Sequence, residues 1–315
     1  MLGATLPADD NVVDTLGGKG ANQAIGCARL AKYDGCTYEV QMMGQLGDDK
    51  AGVDYLKYLA ENHVQLDNIR TLEGKQSGLA LIFIKKTTGE NTIVIVGGAN
   101  TAYPDEGQIL TDGWVESIKK ADVLLLQKEI PQRVNIAAAK VAKEHGVKVI
   151  MDVGGNDELM SKEFLANIDY ISPNETELQL LVESTLGMKD MVEKNVEVYI
   201  KEILTEFTQL KILYKIGEHG SALYSINPET SEISNIRVPA LNFADFKAKH
   251  PDFALVDTTG AGDAFTAGFA VGLIEGKSEQ DAMMLGTQTA FLTISRIGAG
   301  PAIPDRAEIE SFFRE

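Results

Sequence analysis

The sequence predicts an α/β fold: a mostly parallel central sheet with helices on both faces, plus a small β-sheet lid. Three observations lead there. Short apolar runs alternate with amphipathic stretches along most of the chain, the rhythm of strand–helix–strand units. Two β-rich segments, Leu79–Lys86 and Asn91–Val96, break that rhythm and are joined by Thr87-Thr88-Gly89-Glu90, a hairpin signal. Glycine turns open two of the helical patterns, at Gly17–Gly20 and at Gly260–Gly262.

The core strands read as Glu39–Met43, Asp122–Gln127, Val147–Asp152, Tyr170–Ser172 and Ile212–Ile216. Helical periodicity covers Ala21–Ala31, Lys50–Glu61, Arg133–His145, Glu175–Glu183 and Met191–Phe207. The last third adds Ala264–Ile274, Glu279–Ser295 and Asp305–Phe313. Asn227–Glu232 reads as a polar turn between two further strands, and Leu241–Phe253, mixed in character, as an excursion on the surface. One domain is expected over residues 1–315, with lid strands around 77–100.

With 315 residues, 44% hydrophobic and 24% charged, the chain has ample material for a large core. Its formal net charge of −17 argues against nucleic acid and anionic membrane surfaces as partners, but leaves room for an anionic nucleotide held by one local cradle. Cys27 and Cys36 make no disulfide framework and fit a reducing compartment. No apolar run reaches the ~18 residues of a membrane span, and no basic-then-apolar signal pattern opens the chain. A cytoplasmic location is expected, with the nucleus a further site in a eukaryote.

The richest stretch is Val256-Asp257-Thr258-Thr259-Gly260-Ala261-Gly262-Asp263-Ala264-Phe265. Backbone N–H groups at a helix start are unpaired and carry partial positive charge, so they can hold an anion. Gly260, Ala261 and Gly262 allow a phosphate close approach, and Asp263 stands beside it as a candidate base. An anion cradle next to a carboxylate is what phosphoryl transfer to an alcohol requires. The plainer reading is an acidic N-cap after a glycine turn.

Gly17-Gly18-Lys19-Gly20-Ala21-Asn22-Gln23 is another glycine turn opening a helix. Gln23 at the third glycine position rules out a dinucleotide fingerprint, and no Gly-Lys-Ser/Thr closes a P-loop. Lys19 and Asn22 can hydrogen-bond hydroxyls of a polar substrate, or the segment is a plain helix start. Asn174 and Glu177 lie three apart at another helix start; they suit phosphate and hydrated Mg²⁺, or a simple cap with acidic first-turn residues. Ile216-Gly217-Glu218-His219-Gly220 is a glycine turn that carries a nucleotide or reverses the chain. Glu129 ends a strand, where α/β sheets place ligand groups or a solvated charge. His63, His145, His219 and His250 show no metal-ligand spacing, and no nucleophile-elbow motif is present.

Taken together, these motifs resemble the ribokinase branch of the pfkB carbohydrate-kinase family, which also contains adenosine kinase and fructokinases. The likeness runs from about Gly17 to the C-terminus: Gly18–Ala24, Gly47-Asp48-Asp49 with Gly52, Gly89-Glu90-Asn91 followed by Gly98-Ala99-Asn100, Gln127-Lys128-Glu129, Pro173–Glu177 and Asp257–Asp263. The resemblance implies a ribokinase-like three-layer α/β/α sandwich, a further lid strand around 1–16, and ATP-dependent phosphorylation of D-ribose at its 5-hydroxyl. Asp263 would take the hydroxyl proton, and the N–H groups of Gly260, Ala261 and Gly262 would hold the developing charge. Gly18, Lys19, Gly20, Ala21, Asn22 and Glu129 would bind the sugar. Asn174, the turn Lys215, Ile216, Gly217, Glu218, His219 and Gly220, together with Gly262 and Thr287, would border ATP. Glu177 would support Mg²⁺ through water. Asp257, Thr259, Thr293, Arg296, Gly298 and Ala302 would hold an activating K⁺, several through carbonyls. Lid hairpins of this kind often pair between subunits, so a homodimer through Leu79–Val96 is expected.

The chain departs from the family pattern in four places. Met1–Thr5 matches only the tail of the family's first strand, so a central strand and a sugar-binding carboxylate are expected to be missing. Ala302 stands where a serine is common, and Lys215 and Thr287 replace the commoner Thr and His at the nucleotide edge. Asp152-Val153-Gly154-Gly155 is unusual at its strand end, and the sequence assigns it no role. Two other readings stand beside the leading one: a related kinase of another sugar or a nucleoside, and an inactive nucleotide-binding remnant.

Overall fold

The computed structural model describes residues 15–31, 38–84, 91–192 and 195–313. The expected first lid strand, Cys36 and the hairpin turn Thr87–Glu90 lie largely or wholly outside them. In chain order the elements are α1 (Lys19–Leu30), β1 (Gln41–Gly47), α2 (Lys50–Glu61), β2 (Gln65–Leu72), β3 (Leu79–Ile84) and β4 (Asn91–Val96). Then come α3 (Asp112–Lys120), β5 (Val123–Lys128), α4 (Gln132–Glu144), β6 (Lys148–Gly155), α5 (Lys162–Leu165), β7 (Tyr170–Ser172), α6 (Glu175–Leu186), α7 (Val196–Glu206) and β8 (Lys211–Lys215). The last are β9 (Ser221–Ile226), β10 (Ile233–Val238), α8 (Phe243–Lys249), α9 (Ala261–Ile274), α10 (Glu279–Thr293) and α11 (Arg306–Phe313).

Among the described residues the central sheet has six strands in the order β10-β9-β8-β7-β6-β5. The strands β5 to β8 run parallel, and β9 and β10 continue the sheet antiparallel. Successive side chains in a strand point to opposite faces, which builds two cores from one sequence. Val149, Met151, Ile171 and Ile212 pack with Trp114, Val134, Phe164, Leu178 and Ile200 on the face of α3–α7. Ile150, Tyr170, Leu213 and Leu223 pack with Leu30, Phe269, Val271 and Met283 on the face of α1, α9 and α10. This is the three-layer sandwich expected, and its parallel strands all end on the edge where α1, α6 and α9 begin.

Three elements differ from expectation. The strand expected at Glu39–Met43 begins at Gln41 and, among the described residues, pairs in parallel with β2 and not with the central sheet. Strand pairing is non-local, and periodicity cannot name a partner. The segment Leu241–Phe253 lies at the surface as expected, but it carries the helix α8, which is anchored in the core. Phe246 and Phe253 are buried, their rings 4.8 Å apart, and Phe246 meets Phe291 at 4.9 Å. The signal was the spacing of Phe243, Phe246, His250 and Phe253, which keeps one helical face apolar. Finally, α9 begins at Ala261, three residues before the expected start, because Gly260 itself is the N-cap.

The lid strands β3 and β4 pair antiparallel, with Leu79 opposite Val96 and Leu81 opposite Val94. Leu79, Leu81, Ile82, Val94, Ile95 and Val96 are all exposed. No helix among the described residues is long and apolar enough to cross a membrane.

Candidate active site

The N-terminal turn of α1 supplies the first polar side chains. Lys19, Asn22 and Gln23 sit at i, i+3 and i+4 and so share one helix face. All three donate to the same carboxylate, Asp263: Lys19 Nζ to Oδ1 at 3.4 Å, Gln23 Nε2 to Oδ1 at 3.1 Å and Asn22 Nδ2 to Oδ2 at 2.8 Å. Lys19 and Gln23 also donate to Asp152 at the end of β6. Glu129, just past β5, accepts the Lys19 N–H at 2.7 Å, so its carboxylate sits on the positive end of α1. The solvated-charge reading of Glu129 is therefore corrected. Gly20, Ala21 and Asn22 are packed close to the sheet, and the Asn22 amide is spent on Asp263.

Asp152 is fully buried and fully satisfied. Its Oδ1 accepts from Lys19 Nζ at 3.3 Å and the Gly154 N–H at 2.9 Å. Its Oδ2 accepts from Gln23 at 3.2 Å, Thr266 Oγ1 at 3.2 Å and Lys215 Nζ at 3.4 Å. Burial alone would neutralise such a group, but Lys215 and Lys19 hold it ionised, below the usual carboxylate range. Asp263 shifts the other way. Burial dominates and the Asp152 charge adds to it, outweighing the help of Lys19, Asn22 and Gln23, so its carboxyl lies above the ordinary aspartate value. Lys19 stays protonated: burial opposes its charge, yet Asp152, Asp263 and Glu177 together raise it above the usual lysine range. Burial also raises Glu129.

The first turn of α9 is the anion cradle. Gly260 has φ +79°, and a Cβ there would lie 2.7 Å from Ala299 Cα, so only glycine fits. The Ala261 N–H closes a turn on the Thr258 carbonyl at 3.2 Å. Among the described residues the N–H groups of Gly260, Gly262 and Asp263 find no acceptor, so the expected donor set is corrected at Ala261, and Gly262 and Asp263 are the open N–H groups within the helix turn itself. A Cβ on Gly262 would meet only Lys215 Nζ, at 3.7 Å. The two glycines therefore separate experimentally. Gly260→Ala should cost about 1–3 kcal/mol of stability through backbone strain. Gly262→Ala should leave the melting temperature within a few degrees yet weaken nucleotide phosphate binding, since its methyl fills the cradle. Thermal melts and ATP titrations on both variants check this.

Asn174 caps α6 in a reciprocal pair: Asn174 Oδ1 accepts the Glu177 N–H and Glu177 Oε2 accepts the Asn174 N–H, each at 2.8 Å. The simple-cap reading thus holds, and the same geometry aims Glu177 inward, with Oε1 2.8 Å from where a Gly154 Cβ would be and Oε2 3.8 Å from Lys215 Nζ. The turn Lys215–Gly220 lies against this helix start, Gly217 facing Glu175. Thr287 is buried on α10 and its hydroxyl donates to the Met283 carbonyl at 3.0 Å. The loops at 257–260 and 294–302 are tied together: Asp257 Oδ2 accepts the Gly298 N–H at 2.9 Å, and Oδ1 accepts the Thr259 N–H and hydroxyl. Burial opposes the Asp257 charge, but these donors outweigh it and hold its carboxyl low. The Arg296 guanidinium is paired with Glu308, so Arg296 can offer a cation only its carbonyl, while Thr293 Oγ1 donates its proton to the Thr289 carbonyl. Ala302, with no polar side chain, is buried in the short turn Gly300–Ala302.

Among the described residues no three His, Cys, Asp or Glu side chains are grouped to hold a metal. A lone inward carboxylate such as Glu177 suits a Mg²⁺ that keeps most of its water. A carboxylate with loop carbonyls suits a larger monovalent cation. The sequence reading singled out Asp152 without giving it a role, and quoted Gln23 in the helix-start motif without placing it in the site. The available signals were an aspartate inside a largely apolar strand, and the i+4 spacing of Gln23 from Lys19.

Comparison with known proteins assigns the family. The pattern of the pfkB family carbohydrate kinase matches residues 3–306. A ribokinase of Arabidopsis thaliana is 37% identical over 300 residues, covering 93% of this chain and 70% of the relative. A ribokinase of Schizosaccharomyces pombe is 30% identical over 301 residues, covering 94% and 86%. The solved structure of Arabidopsis thaliana ribokinase complexed with ribose and ATP superimposes with a TM-score of 0.81 at 34% identity, covering 99% of this chain and 93% of the other.

Proposed function

The chain belongs to the pfkB family of carbohydrate kinases, and from that premise we propose that it transfers the γ-phosphoryl group of ATP to the 5-hydroxyl of D-ribose, giving D-ribose 5-phosphate and ADP. The observation that carries this reading is a single helix turn holding both open N–H groups and a buried carboxylate of raised basicity. Asp263 accepts the hydroxyl proton as the sugar oxygen attacks the γ-phosphorus. The bond from that phosphorus to the β,γ-bridging oxygen breaks, and its electron pair leaves with ADP. The N–H groups of Gly262 and Asp263 hold the charge on the transferring group.

Gly18, Lys19, Gly20, Ala21, Asn22 and Glu129 form the sugar side. Lys19 supplies donors, Glu129 accepts, and Asn22 acts on the sugar through Asp263. Asn174, the turn Lys215–Gly220, Gly262 and Thr287 form the nucleotide side. Mg²⁺, when bound, neutralises phosphate charge, and Glu177 would hold it through water. Asp257 with Thr259, Thr293, Arg296, Gly298 and Ala302, mostly by carbonyls, would hold K⁺ and stiffen the loop that presents the cradle. The chain's similarity to proteins named ribokinase supports ribose over other sugars.

The test is ADP release with ATP, Mg²⁺ and K⁺ against D-ribose, other sugars and nucleosides. The highest kcat/KM is expected for D-ribose; a nucleoside in first place would overturn the substrate assignment. Because a protonated Asp263 cannot accept a proton, activity should fall as pH drops through its raised pKa. The acid limb of the kcat/KM profile should therefore lie above the ordinary aspartate value of about 3.9.

The exposed apolar faces of β3 and β4 support a homodimer through the lid. Sedimentation at micromolar concentration should show a dimer, and Ile95→Glu should shift it to monomer; a wild-type monomer would sink the idea.

A further inference from the structure

Asp152 and Lys215 are the charged groups at this site whose joint role no motif explains. Lys215 ends β8, and its ammonium sits at a junction: 3.4 Å from Asp152 Oδ2, 3.8 Å from Glu177 Oε2, and beside the open face of Gly262, where a Cβ would be 3.7 Å away. An ammonium carries three donors and these two contacts use at most two of them, so a donor remains for a ligand. Asp152 divides two cations between its oxygens. Oδ1 faces Lys19, which reaches Asp263 on the acceptor side. Oδ2 faces Lys215, which overhangs the phosphate cradle. Gln23, Thr266 and the Gly154 N–H complete the shell of Asp152, so the carboxylate is itself fixed.

We propose that Lys215 is a catalytic residue whose ammonium rides on the γ-phosphoryl group during transfer, and that Asp152 is the positioning residue that holds it over the cradle. The proposal rests on the kinase reading above. Two helix N–H groups are a modest cradle for a group whose charge is spread over three oxygens, and a third, fully charged donor on the same side completes it. Asp152 also keeps the two ammonium groups apart while screening their mutual repulsion. The opposing arrangement, in which Lys215 only neutralises Asp152, predicts loss of stability without a selective loss of rate.

The experiment compares Lys215→Met, Asp152→Asn and the double variant with wild type. Lys215→Met is expected to lower kcat about 10²–10³-fold, with the KM for ribose nearly unchanged. It should keep its affinity for MgADP but lose the extra affinity for MgADP with aluminium fluoride and ribose, a mimic of the transferring phosphoryl group. Lys215→Cys treated with bromoethylamine regains a side chain ending in an ammonium group and should recover much of the lost rate, with treated wild type as the control. Asp152→Asn should lower kcat alone but add little in the double variant, because both act through one group. Should Lys215→Met fail to fold, the double variant removes the ion pair as a unit, and its rate decides. A folded variant without Lys215 that keeps kcat and aluminium fluoride affinity overturns the proposal. Wild type without ribose-dependent ADP release overturns the kinase reading, and this proposal with it.

Discussion

Asp263→Asn is expected to lower kcat about 10²–10⁴-fold while leaving the melting temperature unchanged or higher. The rate effect follows because an amide cannot accept the hydroxyl proton. The stability effect follows from the environment. Asp263 is 4% exposed, and burial together with the Asp152 charge disfavours its ionised form. An amide of the same shape removes that cost. It can still accept from Lys19 and Gln23 while Asn22 turns its own amide end for end. Lys19 keeps Asp152 as a counter-charge at 3.3 Å. Sites built for chemistry carry such local strain, and neutralising it trades rate for stability. Steady-state ADP release and a thermal melt on one preparation check both halves. A folded variant with wild-type kcat would remove Asp263 as the base.

Lys19→Met should be the reverse case, losing rate and stability together. It strips Asp152 and Asp263 of a shared cation, leaving Asp152 with Lys215 and Asp263 with the neutral donors Asn22 and Gln23. Breaking a buried pair by deleting one partner costs about 3–5 kcal/mol, because the remaining charge is stranded. The deficit should depend on pH with a definite sign. Without Lys19 the folded-state pKa of Asp263 rises further above its unfolded value. Its charge then costs stability at pH values above the folded pKa, and the cost is relieved as pH falls through it and the group protonates. Urea midpoints for wild type and variant should therefore converge as pH is lowered from neutrality toward the ordinary aspartate range. The acid limb of any residual activity should move upward for the same reason. A pH-independent deficit would mean that Lys19 acts by packing its stem and not by its charge.

Much of the fold was legible because it is written locally. The strands β5 to β8 are short apolar runs, and α2, α4 and α6 carry their own periodicity, caps or both. The cap of Asn174 on Glu177 spans three residues, and both its structural and its inward-facing character follow from that spacing. Gly260 needs its positive φ within one turn. Lys19, Asn22 and Gln23 share a face by helical geometry alone, so a polar cluster at the start of α1 was readable, although its target was not.

The sequence by itself therefore determined most of the central-sheet strands and the longer helices, the glycine cradle and the identity of the catalytic candidate, since turns and helix faces depend on neighbours within a few residues; β2, α3, α5 and α8 were not read from it. Only the tertiary structure decided what those groups meet. Lys19 finds Asp152 across 133 positions and Asp263 across 244, and Lys215 finds Asp152 across 63. Phe246 joins a core and Glu129 caps a helix that precedes it by 110 residues. These encounters follow from strand order in the sheet and from which helix start each strand end faces. Burial then turns ordinary carboxylates into unequal ones, holding Asp152 charged and lifting Asp263 toward the role of a base.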